Sequence, residues 1–442
     1  MSATWTRPQA APRPISLPLR TLDLFNAILV AVLLASPFGW NLLLNFGGRY
    51  FPEIGLALLF GVNAVLDQRF IGAVGRFLAT KQVLAWIFVS GLLLLAGYAF
   101  HRQIFAAYGD FRSSLILGVA FFWAKGATQT EGAPGRFSKF LALMCVLALL
   151  ANAVYYAGFA TIDSVKQMVP TGIILLGLFL CLRQSGLLMT AVVILISTYL
   201  LVTSSYRSNF ILVIFVISAY MVASLYPISQ RRLGAARILD RLVLAAGVMA
   251  LIPALPVLMT AAMNYLRSDP SRYYQSVIKV RQLQDVLRTG RLYEADPTRA
   301  AYPGYIGDHF AEFLLPSGFG HEAIIYKWRS MWTPASEAMA FGNSVDGAHL
   351  FLAAHFGLVL GAFLFITVFW QAGWAALRTS PSEFIIRVLL LAAFGVFFVT
   401  FGGHMFAQMG VAIGAGLFLG VMCADPRTQP REVPVPRRAA GR

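Results

Sequence analysis

Long apolar segments separated by short polar loops make up most of this chain. Nearly all are long enough to cross a hydrocarbon core of ~30 Å as a helix. The pattern predicts an all-α polytopic membrane protein with about 12 transmembrane helices. The fourth and sixth segments are short, so the predicted number holds to within two. The predicted helices are 22–45, 52–67, 82–100, 113–124, 140–160, 168–182, 186–204, 208–226, 241–263, 348–373, 385–402 and 404–423.

One polar segment is much longer than the others and separates two groups of predicted helices. The predicted parts are an N-terminal tail (1–21), helices one to nine (22–263), a large loop (264–347), helices ten to twelve (348–424) and a basic C-terminal tail (425–442). Within the loop, apolar residues recur at helical spacing, which predicts an amphipathic helix on the membrane surface or against the spans. These residues are Tyr273, Val277, Val280, Leu283 and Leu287.

The overall composition also indicates a membrane protein. The chain is 58% hydrophobic and 12% charged, whereas soluble domains carry roughly 25% charged residues. A net charge of +16 could indicate a protein that binds nucleic acid. The basic residues, however, lie in short loops between apolar segments, and the large loop has nine basic and nine acidic residues, so we expect no nucleic-acid partner. Cys145, Cys181 and Cys423 lie in or beside apolar segments and are predicted to be core packing residues.

The distribution of basic residues predicts the orientation of the chain. With an even number of helices both tails lie on one side, which carries 21 Lys and Arg against five in the short loops of the other side. The more basic side is cytoplasmic, so both termini are predicted to be cytoplasmic and the large loop periplasmic. The N-terminal tail lacks a signal-peptide pattern, so the first apolar segment is expected to direct insertion. All six histidines then fall on the outer side: His101, His309, His321, His349, His355 and His404.

Polar functional groups are concentrated at this outer boundary, in three places. Arg207 lies in the turn Thr203–Asn209, between two predicted spans. In the large loop, Arg299 lies 19 residues before Gly318, which begins Gly318-Phe-Gly320. Asp346 lies eleven residues before Gly357, which opens a glycine-containing span, and His349 follows three residues after it.

In their order and shared side these motifs resemble the O-antigen polymerase and O-antigen ligase superfamily, including the Wzy-type polysaccharide polymerases. The resemblance implies a GT-C-like fold and a multi-pass protein of the bacterial inner membrane with a periplasmic active site. It also implies a metal-independent, inverting glycosyltransferase of lipopolysaccharide or exopolysaccharide biosynthesis, which needs no cofactor. Its partners would be an undecaprenyl-pyrophosphate-linked glycan, an acceptor glycan, membrane lipid and a chain-length regulator.

The same resemblance implies roles for individual residues. Arg207 and Arg299 would bind the pyrophosphate, because guanidinium groups donate bidentate hydrogen bonds to phosphate and keep their charge. Asp346 or His349 would accept the proton of the acceptor hydroxyl. Both would share a helix face if the tenth span begins before them. Further substrate contacts are assigned to Arg291, which lies 27 residues before Gly318, and to His321 and Tyr302.

Each of these residues also has an ordinary structural interpretation. Arg207 suits an interface anchor, Arg299 and Arg291 suit solvated loop charges, and Asp346 suits a helix cap, with His349 at the interface. For His355, one and a half turns into the span, we favour a packed or hydrogen-bonded core role. For the loop aromatics we favour packing over sugar stacking. These aromatics are Tyr302, Tyr305, Phe310 and Phe313.

Several functions remain open at this point. Asp346 at the position where ligases place His favours a polymerase, whereas His349 keeps open an O-antigen ligase acting on lipid A core. A lipid-linked sugar flippase or transporter requires charged residues at mid-membrane, and the predicted spans have almost none. If the protein is a scaffold of an envelope assembly, alanine at Arg207, Arg299 and Asp346 should leave the glycan chain length unchanged.

Overall fold

A computed structural model describes part of the chain, and all regular secondary structure in that part is helical. No strand occurs in the described stretches, which are 19–34, 51–67, 69–102, 104–131, 136–159, 310–320, 347–379, 381–400, 404–407 and 409–424. The helices are α1 (Leu19–Leu34), α2 (Phe51–Leu66), α3 (Phe70–Leu78), α4 (Lys81–His101), α5 (Ile104–Glu131), α6 (Arg136–Phe159), α7 (Phe310–Leu314), α8 (Ala348–Phe351), a π-helical turn (Leu352–Phe356), α9 (Gly357–Leu377), α10 (Pro381–Thr400), α11 (His404–Ala407) and α12 (Met409–Met422).

Two helical stretches in this part are long and apolar enough to span a membrane. They are Lys81–Phe100 and Leu352–Leu377. Shorter apolar helices also coincide with predicted spans, at Leu22–Leu34, Glu53–Leu66, Phe384–Val399 and Met409–Met422. The predicted loop between the second and third spans contains the additional short helix α3, none of whose residues is buried.

Helix α5 is much longer than the sequence predicted. The apolar pattern predicted 113–124, whereas the helix covers Ile104–Glu131. The pattern stops at Arg112 and Lys125, but both charges have partners that let the helix continue. The Arg112 guanidinium lies 2.7 Å from the Glu53 carboxylate on α2. Lys125 Nζ donates to Gln371 Oε1 on α9 at 2.7 Å.

The core of the described bundle is the contact between α5 and α12. Gly416 lies against Leu117 and Ala120, and one turn later Gly420 lies against Phe121 and Ala124. The residue numbers rise together on both helices, so α5 and α12 run parallel. Glycines four residues apart let two helix backbones approach closely, a common packing in membranes. We call this contact the glycine seam.

Contacts of the other helices with the glycine seam fix their directions. Arg387 Nη1 on α10 donates to Met422 O at 3.1 Å, and Phe394 stacks on Phe418 at 5.1 Å, so α10 runs antiparallel to α12. Phe365 meets Phe398 at 4.9 Å and Phe369 meets Phe394 at 6.3 Å, so α9 runs antiparallel to α10. Helices α5, α9 and α12 therefore share one direction.

The remaining directions place several chain segments at one end of the bundle. Helix α4 is antiparallel to α5 and is tied to it by Trp86, whose Nε1 donates to Ser114 O at 3.1 Å. Helix α6 follows α5 after a short connection, and Phe137 packs on Trp123 at 4.9 Å. The end of α4, the start of α5, the end of α6 and the start of α8 thus lie together. We call this the loop end.

Away from the loop end, α1 and α2 pair through two asparagines. Asn26 Nδ2 donates to Asn63 Oδ1 at 2.8 Å, and Asn63 Nδ2 donates back to Asn26 Oδ1 at 2.7 Å. Paired amides satisfy each other where water is scarce. The predicted core role of the cysteines is confirmed for Cys145 and Cys423, both of which are buried. Cys181 lies outside the described residues.

Candidate functional site

A non-helical segment, Leu315–Gly320, is built into the loop end, and we call it the glycine loop. Its residue Phe319 is completely buried. Three successive amides of this segment donate to three different elements. Gly318 N–H donates to His355 O at 3.2 Å and Phe319 N–H to Leu93 O at 3.0 Å. Gly320 N–H donates to the Asp110 carboxylate at 3.0 Å.

The two glycines of this loop are required by backbone conformation and by space. Gly318 and Gly320 have φ angles of +85° and +80°, in the left-handed region that side chains disfavour. A β-carbon on Gly318 would also collide with the backbone of Gly97 on α4. The Gly318-Phe-Gly320 sequence is therefore what allows the chain to fold back tightly beneath α4.

The glycine loop fills a break in the tenth predicted span. This span is not one continuous helix, as the sequence predicted for 348–373, because a π-helical turn ends at Phe356 and Gly357 has a φ of +74°. The break frees backbone carbonyls, and the loop satisfies two of them: Ser317 Oγ donates to Ala354 O, and Gly318 N–H donates to His355 O. Non-helical backbone at membrane depth is tolerated where protein buries it in this way.

Gly357 completes the fit between the loop and the break. A β-carbon on Gly357 would lie 2.6 Å from Leu315 C and 2.8 Å from Pro316 N. Two of the three sequence motifs, Gly318-Phe-Gly320 and the span opened by Gly357, are thus in direct contact. The sequence indicated both motifs separately and did not predict that they touch.

His355 links the break to the loop. It is 3% exposed, and its Nδ1 lies 2.8 Å from Gly318 O. A carbonyl oxygen can only accept, so Nδ1 carries the proton and donates. The other ring nitrogen, Nε2, lies 3.9 Å from Asp110 Oδ2. The core interpretation of His355 is confirmed.

Asp110 is the site residue that sequence reasoning missed. The span predicted at 113–124 left Asp110 in a loop, whereas it lies inside α5. The available signal was an acidic residue near a long apolar segment, because an ionisable residue in a transmembrane helix marks a candidate functional site by default.

A second polar group lies on the same part of α5. Arg112 pairs with Glu53, and the Tyr108 hydroxyl lies 3.5 Å from the same Glu53 oxygen. Within the described part of the chain, Glu53 Oε2 and Arg112 Nε are buried without a hydrogen-bond partner. The ion pair therefore retains hydrogen-bonding capacity on both of its members.

Of the predicted catalytic residues, only His349 lies in the described part. It is exposed in the first turn of α8, which begins at Ala348 with Gly347 as N-cap. Asp346 lies outside the described residues, so its shared helix face with His349 and its role as a helix cap both stay predictions.

The other predicted site residues lie outside the described part of the chain, as does the amphipathic helix predicted in the large loop. That Arg207 and Arg299 come together with Asp346 or His349 in one active site stays a prediction. These residues are Arg207, Arg291, Arg299, Tyr302, His321 and Asp346. Among the loop aromatics, Phe313 packs against Ala353 and Ala354, which confirms the packing interpretation for that residue, whereas Phe310 is exposed.

Comparison with known proteins adds no residue to this site. In the described stretches, no group of three or more His, Cys, Asp or Glu side chains has the arrangement of a metal site. No protein-family model matches the chain. No curated protein is significantly similar to it in sequence.

Proposed function

We propose that the protein is an inner-membrane glycosyltransferase that polymerises undecaprenyl-pyrophosphate-linked oligosaccharide repeats into O-antigen or exopolysaccharide. One observation carries the proposal. Gly318-Phe-Gly320 and the Gly357 span, two motifs of the family resemblance, pack against each other although Ser317 and Ala354 are 37 residues apart. A chance resemblance gives no reason for the two motifs to meet.

The proposed fold has about 12 spans and a GT-C-like architecture. Its support is the direction of the described helices. Helix α6 ends at the loop end and the glycine loop lies there too, which agrees with an even number of spans between them. Four spans are predicted between 168 and 263. The large loop would then lie on the periplasmic side, with both termini in the cytoplasm.

The proposed reaction is a displacement at the anomeric carbon of the lipid-linked sugar. The acceptor hydroxyl oxygen forms the new bond, and the bond to the pyrophosphate oxygen breaks with inversion. Asp346 or His349 takes the hydroxyl proton. Arg207 and Arg299 stabilise the charge that develops on the leaving pyrophosphate, where fixed cations lower the barrier most.

The glycine loop supports this mechanism by its place in the chain. His321 follows it directly, and Arg299 precedes it within the same loop. Groups that stabilise a transition state must be held in position, because misplacement by about 1 Å can cost roughly a hundredfold in rate. A buried, hydrogen-bonded segment next to candidate site residues provides such an attachment.

An O-antigen ligase is the second candidate. The observation that favours it is His349, whose side chain is exposed at the start of α8. By resemblance, ligases use a histidine near this position and transfer the glycan to lipid A core. The two functions differ in the acceptor and share the same donor.

Reconstituted transfer would test the proposal. We expect purified protein in vesicles to convert a lipid-pyrophosphate-linked oligosaccharide into a ladder of whole repeats, seen on gels and by mass spectrometry. Arg207→Ala and Asp346→Ala should each lower the rate by about a hundredfold or more. Arg76→Ala is the control, because Arg76 is exposed on α3.

Two other results would contradict the polymerase. Transfer that occurs only after lipid A core is added would identify a ligase. Absence of product with either acceptor, across several oligosaccharides, would refute the glycosyltransferase and favour a transporter of lipid-linked sugar.

A further inference from the structure

Side chains from two separate elements hold the glycine loop in place. Of the three acceptors for its amides, His355 O and Leu93 O belong to the backbone, and only the Asp110 carboxylate is a side chain. The loop carbonyl of Gly318 in turn accepts from the His355 ring at 2.8 Å. Asp110 on α5 and His355 in the π-helical turn therefore both form hydrogen bonds with the backbone of the loop.

We propose that Asp110 and His355 are positioning residues. They hold the glycine loop in the helix break and so orient the loop segments that carry Arg299 and His321. The statement about loop attachment stands alone, whereas the statement about catalysis rests on the proposed glycosyltransferase function. Neither residue is required to touch the substrate.

The strength and the burial of these hydrogen bonds are suited to holding the loop in one position. A hydrogen bond from a backbone amide to a carboxylate is roughly twice as strong as one between neutral groups. The Asp110 side chain is 15% exposed and that of His355 4%, so water competes poorly for either contact. A buried group that loses its partner carries the full cost of desolvation, which makes release of the loop unfavourable.

Substitutions of similar shape separate the individual contacts. Asp110→Asn keeps an oxygen that can accept from Gly320 N–H and removes the charge facing His355, whereas Asp110→Ala removes both. His355→Asn places an amide N–H near the position of Nδ1, so donation to Gly318 O survives. His355→Phe keeps a ring and loses the donor.

Asp67 provides a matched control within the same chain. Its carboxylate also accepts a backbone N–H, that of Arg69, at 3.0 Å. It is exposed and lies between α2 and α3, away from the glycine loop. Asp67→Ala thus removes a carboxylate–amide contact of the same kind and tests the general effect of such a loss.

Amide hydrogen exchange measured by mass spectrometry on the full-length protein in detergent tests the attachment without any activity. We expect peptides covering Leu315–Gly320 to exchange about tenfold or more faster in Asp110→Ala and in His355→Phe than in wild type. Asp110→Asn and His355→Asn should stay within a few-fold of wild type. Peptides from the glycine seam should not change in any variant.

Unchanged loop exchange in Asp110→Ala and His355→Phe, or the same increase in Asp67→Ala, would overturn the attachment. If Asp110→Ala does not fold, the test rests on His355→Phe against His355→Asn, which respectively lose and keep the donor to Gly318 O. Equal loop exchange in these two variants would overturn the attachment.

The catalytic part is tested by kinetics on folded protein. For Asp110→Ala we expect turnover to fall about tenfold with the KM for the lipid-linked donor within twofold of wild type, and Asp110→Asn to recover most of the turnover. A merely structural role would lower the amount of folded enzyme and leave turnover per folded molecule unchanged, which would overturn the assignment. An inactive wild type would refute the proposed function, while hydrogen exchange would still decide the attachment.

Discussion

The glycine seam and the glycine loop use the same residue type for opposite purposes. In the seam, Gly416 and Gly420 lie within a regular helix, and they are glycines because the backbone of α5 occupies the space of a side chain. In the loop, Gly318 and Gly320 have left-handed conformations in an irregular segment. The seam joins two continuous helices, whereas the loop donates hydrogen bonds to the free carbonyls of an interrupted helix.

Both regions depend on α5, but through different residues. Its small residues Ala120 and Ala124 receive the glycines of α12, whereas Asp110, nearer its start, receives Gly320 N–H. The seam is held by close van der Waals packing of one helix against the backbone of another. The loop is held by hydrogen bonds that water could replace if the loop moved away. We therefore expect the seam to determine global stability and the loop to open locally.

The largest effect is expected for a β-carbon placed in the seam. In Gly416→Ala, the new methyl group would lie 2.8 Å from Ala120 Cβ and would collide with Leu117 O. Neither neighbour is a flexible side chain, so we expect a loss of about 2–3 kcal/mol in unfolding free energy. Thermal unfolding in detergent measures it.

Gly395→Ala is the matched control for the seam, because nothing lies within 4 Å of its added methyl group. It should be neutral or stabilise by up to about 1 kcal/mol, since alanine favours the helix. Equal stability losses for the two variants would contradict the seam as the main source of global stability.

A smaller global effect is expected at the glycine loop. Gly318→Ala strains a left-handed residue by about 1–2 kcal/mol and collides with Gly97, but the loop can escape by detaching. We expect the melting temperature to change less than in Gly416→Ala, while limited proteolysis cleaves the chain near the exposed Leu315. Gly109→Ala is the control, since its methyl group meets nothing within 4 Å. If Gly318→Ala leaves the loop resistant to protease and lowers the melting temperature more than Gly416→Ala does, the expected difference between the loop and the seam would be contradicted.

The smallest effect is expected for the pair of Asn26 and Asn63. It measures how much a neutral hydrogen-bonded contact between two uninterrupted helices contributes to stability, for comparison with the contacts at the helix break before Gly357. A double-mutant cycle with Asn26→Ala and Asn63→Ala should give a coupling of about 0.6 kcal/mol and at most about 1.7 kcal/mol. Unfolding of the four proteins in detergent supplies the values. A coupling near zero would mean that other groups satisfy each amide once its partner is lost.

Hydrophobic periodicity predicted the described long helices well and their interruptions poorly. The ends of α2, α4 and α6 lie within a few residues of the predicted spans, because apolar runs there end where polar residues begin. Helix α5 was underestimated because the pattern counts a charge as a helix end. A charge with a partner from elsewhere in the chain, such as Glu53 for Arg112, leaves no trace in the local pattern.

The candidate site was predictable in its parts and not in its assembly. Gly318-Phe-Gly320 and Gly357 were indicated by the resemblance to a family pattern, which places such glycines at the outer boundary. The break before Gly357 could not be predicted, because the residues of the π-helical turn are ordinary helix formers. Nor could the contact of His355 with Gly318, because the two are 37 residues apart and no local pattern encodes their meeting.

The parallel contact of α5 with α12 has a consequence for biosynthesis. Domains and segments generally fold in the order in which they leave the ribosome. Helix α5 is made early, and α12 is the last described helix to emerge, so the groove beside Ala120 and Ala124 exists before its occupant does. All the other described helices therefore emerge before the described occupant of this groove. A stop codon shortly before Met409 would remove one helix and leave the longest described helix without its principal neighbour.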